Sequence, residues 1–567
     1  MAEKGEHRMS RHEIFTVEGK PFFSIGAQLQ NSSGYALGAA TGDKYEQDTK
    51  RAFDSVKKIG ANTVAIPICW DAFEKEEGVF DASYIRRIID RVRDHDLHAI
   101  FLWFGTWKNG QMEYTPEWVK RDRDRFTRCL CVDGTETTVL SPFYEANREQ
   151  DKKAFCKLME FLKEYDSEVG TVLAVQVENE CGMYAASIRD FSEKATEVFE
   201  GETPAELIEL ARKDQGMLHR EWEREGLKEH GSYREVFGRF GAEVCMAYTT
   251  AKYIDEIAAA GKEIYDIFMY VNVWMDRNNE CGFSVAGLDY PSGGPVSKVL
   301  PVWQEVIKAL DAVSPDIYEM QPDLIARTQE TYASYDTPFF VPESGPTNVN
   351  ATMMFEAIGK HAAIGYHIFG VENCLDEQGE LLESARGIMH SFTMLENAKG
   401  LIEKYRGTDQ MYTLTQHVGQ DAFKLEIGDW LCRVSYAGAG ADYTGWVAMD
   451  YRHSKDLVNV NYVPKSIEEE TARGFLFRVA ENEYYLVGHK VRLYWQKMDR
   501  TDGSVPVNML LFQHQAHNME LLKIEEGHFE SDGTYVVDRL RSGDEGRHGI
   551  WAQYDCGVIH FVLGERK

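Results

Sequence analysis

The chain lacks any long apolar run. No segment reaches the roughly 18 uninterrupted apolar residues of a membrane-crossing helix; even Ala363 to Val371 is short and contains His367. Residues Met1 to Glu13 are charged and hold no apolar core of the kind a secretory signal carries, so export by that route is not expected. Metal-ligand spacing is missing as well: there is no HExxH and no paired CxxC, and neither a metal nor a cofactor is implied. Ten cysteines are scattered from Cys69 to Cys556, with only Cys129 and Cys131 close together, the usage of a reduced, cytoplasmic protein. Positive charge is scarce too, since 62 Lys and Arg stand against 92 Asp and Glu, a formal net charge of −30. Such a surface repels phosphate backbones and anionic lipid, which excludes nucleic acid and membrane as partners and favours a neutral substrate. Internal repeats and low-complexity segments are absent. Gly438 to Gly445 (GAGADYTG) has the look of a phosphate loop, but without the glycine spacing and following helix of a dinucleotide site it reads as a turn.

What is present is a regular alternation. At 567 residues the chain calls for a large unit plus an appended module. From about Pro21 to about Gly370, short apolar runs alternate with longer amphipathic stretches, the pattern of a parallel sheet with helical crossovers. Eight strands are predicted: Phe22 to Gln28, Thr63 to Trp70, Ala99 to Gly105, Val172 to Glu180, Ile267 to Trp274, Asp316 to Met320, Phe339 to Glu343 and Gly365 to Gly370. Eight suggest closure into an α/β (β/α)₈ barrel. Helices are predicted over Lys44 to Lys58, Ala82 to Arg93, Glu149 to Tyr165 and around Ser384 to Tyr405. Residues 183 to about 240 read as a helical insertion after the fourth strand, either a wall of the site or solvated decoration. From about residue 410 to 567 short alternating runs, among them Phe423 to Ile427, Trp430 to Tyr436, Tyr484 to Val487 and Val558 to Val562, predict an all-β, sandwich-like C-terminal domain.

The chemistry-bearing residues stand at strand ends. The fourth run, residues 171 to 182, is an apolar strand that stops abruptly at Glu178, Asn179 and Glu180, an expensive place for idle charge. Alternation puts Gln176, Glu178 and Glu180 on one face, with Glu180 nearest the C-terminal rim where barrel chemistry sits. Glu180 is therefore the expected acid, and Glu178, deeper, the expected holder of a neighbour, with an exchange of the two roles left open. The seventh run, residues 338 to 346, stops likewise at Glu343 before Ser, Gly and Pro. Two carboxyl groups about 5 to 5.5 Å apart across a barrel mouth are what glycosidic cleavage with retention requires, with Glu343 as nucleophile. Glu372, after the eighth strand, is the rival nucleophile or a sugar ligand.

These residues carry a resemblance. Residues 12 to 405 resemble clan A glycoside hydrolases, most closely the family 35 and family 42 β-galactosidases. In that clan the acid/base follows an asparagine at the end of the fourth strand, as Asn179 and Glu180 do here, and Val175 to Gly182 (VQVENECG) looks like family 35's version with Cys181 where tyrosine is usual. Trp70 to Asp81 (WDAFEKEEGVFD) is similar to the segment after the second strand, with Lys75 in place of proline, and Tyr270 to Trp274 (YVNVW) to that of the fifth. Pro291 to Pro295 (PSGGP) and Phe340 to Glu343 (FVPE) resemble a bacterial branch with a β-rich C-terminal domain. The eighth strand, Gly365 to Asn373 (GYHIFGVEN), lacks the clan's usual tryptophan.

The resemblance implies a retaining, exo-acting β-galactosidase that takes an oligosaccharide or glycoside and needs no metal or cofactor. Asn179 is expected on the sugar's 2-hydroxyl. Trp70, Trp103, Trp107, Tyr270, Asn272 and Trp274 are expected to wall the substrate, with core packing the alternative for Trp70 and Trp103. A glucosidase, mannosidase, xylosidase or galactofuranosidase of the clan, a transglycosidase, and a silent carbohydrate-binding protein are the alternatives. A homo-oligomer is compatible with this reading.

Overall fold

The computed structural model describes residues 9–40, 45–276, 284–420, 422–438, 459–460, 463–498, 519–547 and 549–565. Beyond Gly438, the GAGADYTG turn lies outside the described residues. Eight parallel strands form one sheet: β1 (Ser24–Gln28), β2 (Thr63–Cys69), β3 (His98–Phe104), β4 (Val172–Val177), β5 (Phe268–Trp274), β6 (Ala312–Ile317), β7 (Glu343–Ser344) and β8 (Gly365–Phe369). From β1 to β7 each pairs with its neighbour in chain order, β8 pairs with β1, and an isolated bridge from Val341, just before β7, to Tyr366 links the last two strands. Runs such as TVAIPIC in β2 and VLAVQV in β4 are buried along their whole length, because the strands have side chains inside the barrel and helices outside it. Inside, the His367 ring fills the space over Gly26 and bonds Ser24 Oγ at 2.8 Å. Desolvation there pushes its imidazole down to about 3, so it is a neutral packing group.

Helices follow from apolar spacing and end signals. Ala82–Arg93 buries Ile85, Ile88, Ile89 and Val92 on one face, and Asp81 caps it by accepting from the Tyr84 N–H at 3.1 Å. Glu46–Ile59 stops at Gly60, whose φ of 85° is a left-handed conformation that glycine adopts without strain. Glu145–Tyr165 begins four residues before its predicted start, and Arg386–Tyr405 closes the barrel's outer layer.

Two strands differ from expectation, and proline explains both. β6 begins at Ala312, not Asp316, because Pro315 forfeits one ladder donor while the buried Ala312, Val313 and Ile317 keep the strand in place. β7 pairs with β6 only over Glu343–Ser344. The preceding Phe339–Val341 segment reaches β8 instead, through Ile364 N–H to Phe339 O at 2.8 Å, Val341 N–H to Gly365 O at 3.4 Å and His367 N–H to Val341 O at 2.9 Å. Pro338 and Pro342 have no N–H to extend that ladder.

The insertion after β4 contains Glu193–Glu200, Ala205–Lys213, Met217–Arg224 and Tyr233–Phe237, the last opened by a capping box of Ser232 and Glu235. It leans on the long crossover helix Gly241–Ile264. The C-terminal region is antiparallel throughout. A six-stranded sheet runs Met411–Thr415, Arg473–Ala480, Glu483–His489, Val558–Glu565, Met519–Phe529, Tyr535–Leu540. A smaller sheet holds Ala422–Ile427, Trp430–Gly438, Val491–Lys497 and Ile550–Ala552. Leu476, Tyr484 and Phe561 from the first meet Trp430, Trp495 and Trp551 from the second in one apolar layer, the sandwich the alternation predicts. The six-stranded sheet also joins the barrel's own core: Phe475 lies 4.7 Å from Phe355, and buried Arg473 bonds Ser391 Oγ and Gly387 O at 2.6 Å each. Among the described residues no helix is long and apolar enough to cross a membrane.

Candidate active site

A cavity of about 670 Å³ opens at the C-terminal ends of the strands, lined among others by Asn31, Lys108, Glu180, Trp274, Asp316, Tyr318, Glu343 and Phe369. Every one of these lies at a strand's last residues or in the loop beyond, the face on which barrels build their sites. Glu180 and Glu343 meet there, their carboxylate oxygens within 4.8 Å of each other and of an oxygen of Asp316.

The loop that carries Glu180 departs from strand geometry. β4 ends at Val177, and both Glu178 (φ 66°) and Glu180 (φ 43°) are left-handed, so simple alternation stops before the glutamates. The expectation that Gln176, Glu178 and Glu180 share one face is corrected accordingly. Glu178 turns to the loop after β3, where it accepts from the Thr106 N–H at 3.1 Å and the Trp107 N–H at 2.7 Å. Burial and the neighbouring Asp151 push its carboxyl well up. The loop continues through Gly182, φ 116°, where a side chain would strike Ser292 O. That close approach lets Met183 and Ser292 exchange backbone hydrogen bonds of 2.8 and 2.9 Å, which is the structural use of the PSGGP segment.

Glu180 itself is held by its backbone, which donates to Asn272 Oδ1 at 2.8 Å. Burial and the charge of Glu343 push its carboxyl up to about 7, with Lys108 opposing. Glu343 is held by its side chain, accepting from Gln28 Nε2 and from the Tyr318 hydroxyl, each at 2.7 Å. Gln28, Lys108, Asp316 and Tyr318 are therefore site residues that sequence reasoning missed. The signal was there for Asp316 and Tyr318, because another apolar run stops at a carboxylate on the barrel rim.

The remaining expected ligands divide. Trp274 lines the cavity and packs on Tyr184, ring centroids 4.8 Å apart. Phe369 lines it at the eighth strand, where the clan's tryptophan is missing. Asn179 is fully buried beside the site, and neither atom of its amide has a protein partner. Trp107 Nε1 and the Tyr270 hydroxyl are likewise buried without one, and none of these three residues is among the cavity's lining. Asn272 is engaged at both ends, with Glu180 and with Asp316 Oδ2 at 2.7 Å, so it braces the site and is not a free sugar ligand. Trp70 and Trp103 are packing residues: both are buried behind the cavity's lining, their indole N–H groups committed to Glu74 at 2.7 Å and Asp151 at 3.0 Å. Glu372 accepts from the Gln30 N–H at 3.1 Å and from Ser33 Oγ at 2.7 Å, which ties down the loop after β1 and leaves it outside the lining. No residue of the insertion from 183 to 240 is among the lining either.

Among the described residues two clusters have the spacing of metal ligands. In the cavity, Glu343 already takes donors on both oxygens and Asp316 on one, which leaves a poor set for a hard cation. At the junction with the C-terminal sheets, His390, Glu470 and His489 converge, but Arg473 at 2.8 Å and Lys490 at 3.9 Å of Glu470 already supply cations there.

The (β/α)₈ barrel with two glutamates at its mouth agrees with the resemblance to clan A glycoside hydrolases read from the sequence. Residues 43–233 match the model of glycoside hydrolase family 42, described as β-galactosidase, one of the two families the sequence resembles. Residues 388–553 match a domain of unknown function, DUF5597. No curated protein matches the chain in sequence. Among solved structures it is similar to the β-galactosidase of the Antarctic haloarchaeon Halorubrum lacusprofundi, with 16% identity, TM-score 0.44, and 66% of this chain covering 58% of that one. The β-galactosidase of the psychrophilic Marinomonas ef1 gives 13%, 0.46, 67% and 60% for the same measures. The exo-β-1,4-mannosidase Op5Man5 of Opitutaceae bacterium strain TAV5 gives 13%, 0.41, 68% and 62%. The chain thus spans less than two thirds of the length of these structures.

Proposed function

We propose that the protein is a retaining glycoside hydrolase, an exo-acting β-galactosidase in which Glu180 is the acid/base and Glu343 the nucleophile. The observation that carries this reading is the carboxylate pair itself, with oxygens within 4.8 Å across the barrel mouth. That closeness favours the shorter of the two carboxyl separations that glycosidases use, the one in which the second carboxylate attacks the anomeric carbon directly. Glu343 attacks the anomeric carbon while Glu180 gives its proton to the departing glycosidic oxygen. Glu180, now a carboxylate, then takes a proton from the water that displaces the sugar from Glu343. Asn179, whose amide has no protein partner, is the ligand of the sugar's 2-hydroxyl, and Trp274 with Phe369 offers apolar faces to its C–H surface. The choice of galactose rests on the family model matched over residues 43–233. The chain is divided between a catalytic unit of residues 12–405 and a C-terminal domain of 410–567.

The test is release of p-nitrophenol from a panel of aryl β-glycosides by the wild type and by Glu343→Gly, with and without azide. The expected result is cleavage of the β-D-galactoside, loss of activity in the variant, and rescue by azide with an α-galactosyl azide as product. Preference for another glycoside keeps the mechanism and removes galactose. An unimpaired Glu343→Gly variant removes the mechanism.

A further inference from the structure

Beyond the two carboxyl groups that a double displacement uses, Asp316 and Glu319 also line the cavity, and Asp316 is the one that clusters with the pair, within 4.8 Å of both. Asp316, 2% exposed, comes from the penultimate position of β6, where the ladder sets it opposite Trp274 on one side and Glu343 on the other. Its hydrogen bonds can be assigned without ambiguity. A backbone N–H can only donate, so the end of the Asn272 amide that meets the Glu180 N–H is its oxygen, and the end that meets Asp316 Oδ2 is its NH₂. Oδ2 of Asp316 is therefore an acceptor. Oδ1, buried and accepting from no protein donor, is the oxygen left to carry a proton. Three carboxylates within 4.8 Å of one another cannot all be ionised, and Asp316 is the most enclosed of them.

We infer that Asp316 is a positioning residue for Glu180, holding its backbone through Asn272 and presenting a protonated oxygen as hydrogen-bond donor to its carboxylate. The inference rests on the reading of Glu180 as acid/base. The groups that face Asp316 are Glu180, Glu343 on β7, Lys108 after β3, Tyr318 just after β6, Tyr270 on β5 and Tyr332. Burial, and then the charges of Glu343 and Glu180, push its carboxyl well above the ordinary range, while Lys108 opposes. The neutral acid matters in the second half of the cycle. Once Glu180 has given up its proton it is a buried carboxylate, and a donor at its side stabilises the form that must act as base.

The measurement is kcat and KM against pH for p-nitrophenyl and methyl β-D-galactoside with the wild type, Asp316→Asn and Asp316→Ala, alongside the melting temperature of each. Asparagine reproduces a protonated aspartate, an oxygen for Asn272 and an N–H for Glu180, so Asp316→Asn should stay within a few-fold of wild-type kcat with its basic limb unmoved. Alanine removes the donor that favours ionised Glu180, so the basic limb should move to higher pH, with kcat lower by about tenfold or more and KM little changed. A basic limb displaced to lower pH in Asp316→Asn would mean that Asp316 is ionised and would overturn the inference. So would a folded but inactive Asp316→Asn, and so would an alanine variant indistinguishable from wild type. Should alanine prevent folding, the pH limb of the asparagine variant decides alone. A wild type that turns over no glycoside sinks the hydrolase reading and this inference together, whereas the outcomes above sink the inference alone.

Discussion

At the scale of single residues, the cavity assigns its carboxyl groups by what each one accepts. Glu180 has its carboxyl pushed up to about 7, mainly by burial and then by Glu343, so it is protonated below that pH and loses the proton above it. Turnover of substrates with poor leaving groups should therefore fall as pH rises through about 7, and a basic limb found two or more units away would contradict the assignment. Glu372 spends its oxygens on Gln30 and Ser33, so azide should give no glycosyl azide with Glu372→Gly, in contrast to Glu343→Gly. Removing the Tyr318 hydroxyl takes away one of the two donors that aim Glu343. Tyr318→Phe should lower kcat by about ten- to a hundredfold while the protein's melting temperature stays close to wild type.

At the scale of elements, the sequence pattern read well wherever burial was uniform and failed where backbone chemistry intervened. Apolar runs located all eight strands, and the glutamates at the ends of the fourth and seventh stood out because charge at the end of a buried strand has a cost. Alternation could not place Glu178, since its φ of 66° is invisible to a two-residue period. Asp316 and Tyr318 escaped because the sixth strand was predicted over Asp316 to Met320 while it runs over Ala312–Ile317, so that the rim was read as the start of the strand. Gln28 gave no signal at all: a polar residue ending β1 is ordinary until its partner across the barrel is known. The same reasoning yields a stability prediction for the β3 and β4 loops. Glu178→Ala would leave the Trp107 N–H buried without an acceptor and the Thr106 N–H with only its 3.3 Å bond to Asp151, at a cost of about 2 kcal/mol, seen as a lower unfolding midpoint in urea.

At the scale of the whole molecule, the C-terminal sheets are seated on the barrel through close packing and charge. Helix Asn348–His361 presents Gly359, where a Cβ would fall 2.0 Å from Thr413 Oγ1. Gly359→Leu should separate the sheets from the helix, read as a loss of cooperativity in thermal unfolding. On the same helix Glu356 accepts from Thr415 at 2.8 Å and His417 at 2.6 Å and pairs with Lys360, and these partners depress its carboxyl from 4.5 to about 2 against the effect of burial. A depressed carboxyl contributes stability above its unfolded value and loses it on acidification. Wild type should therefore lose at most about 3 kcal/mol between pH 4.5 and about 2 that Glu356→Gln does not lose. The short β7 has a consequence of its own. Because proline on either side removes donors, the stave that bears Glu343 is fastened to β8 by three backbone bonds, one of them at 3.4 Å. In deuterium exchange the amides of Val341 and Ile364 should be the first of the barrel to trade their hydrogens, and a sugar covalently attached to Glu343 should slow them, recording each glycosyl-enzyme as a tightening of the seam.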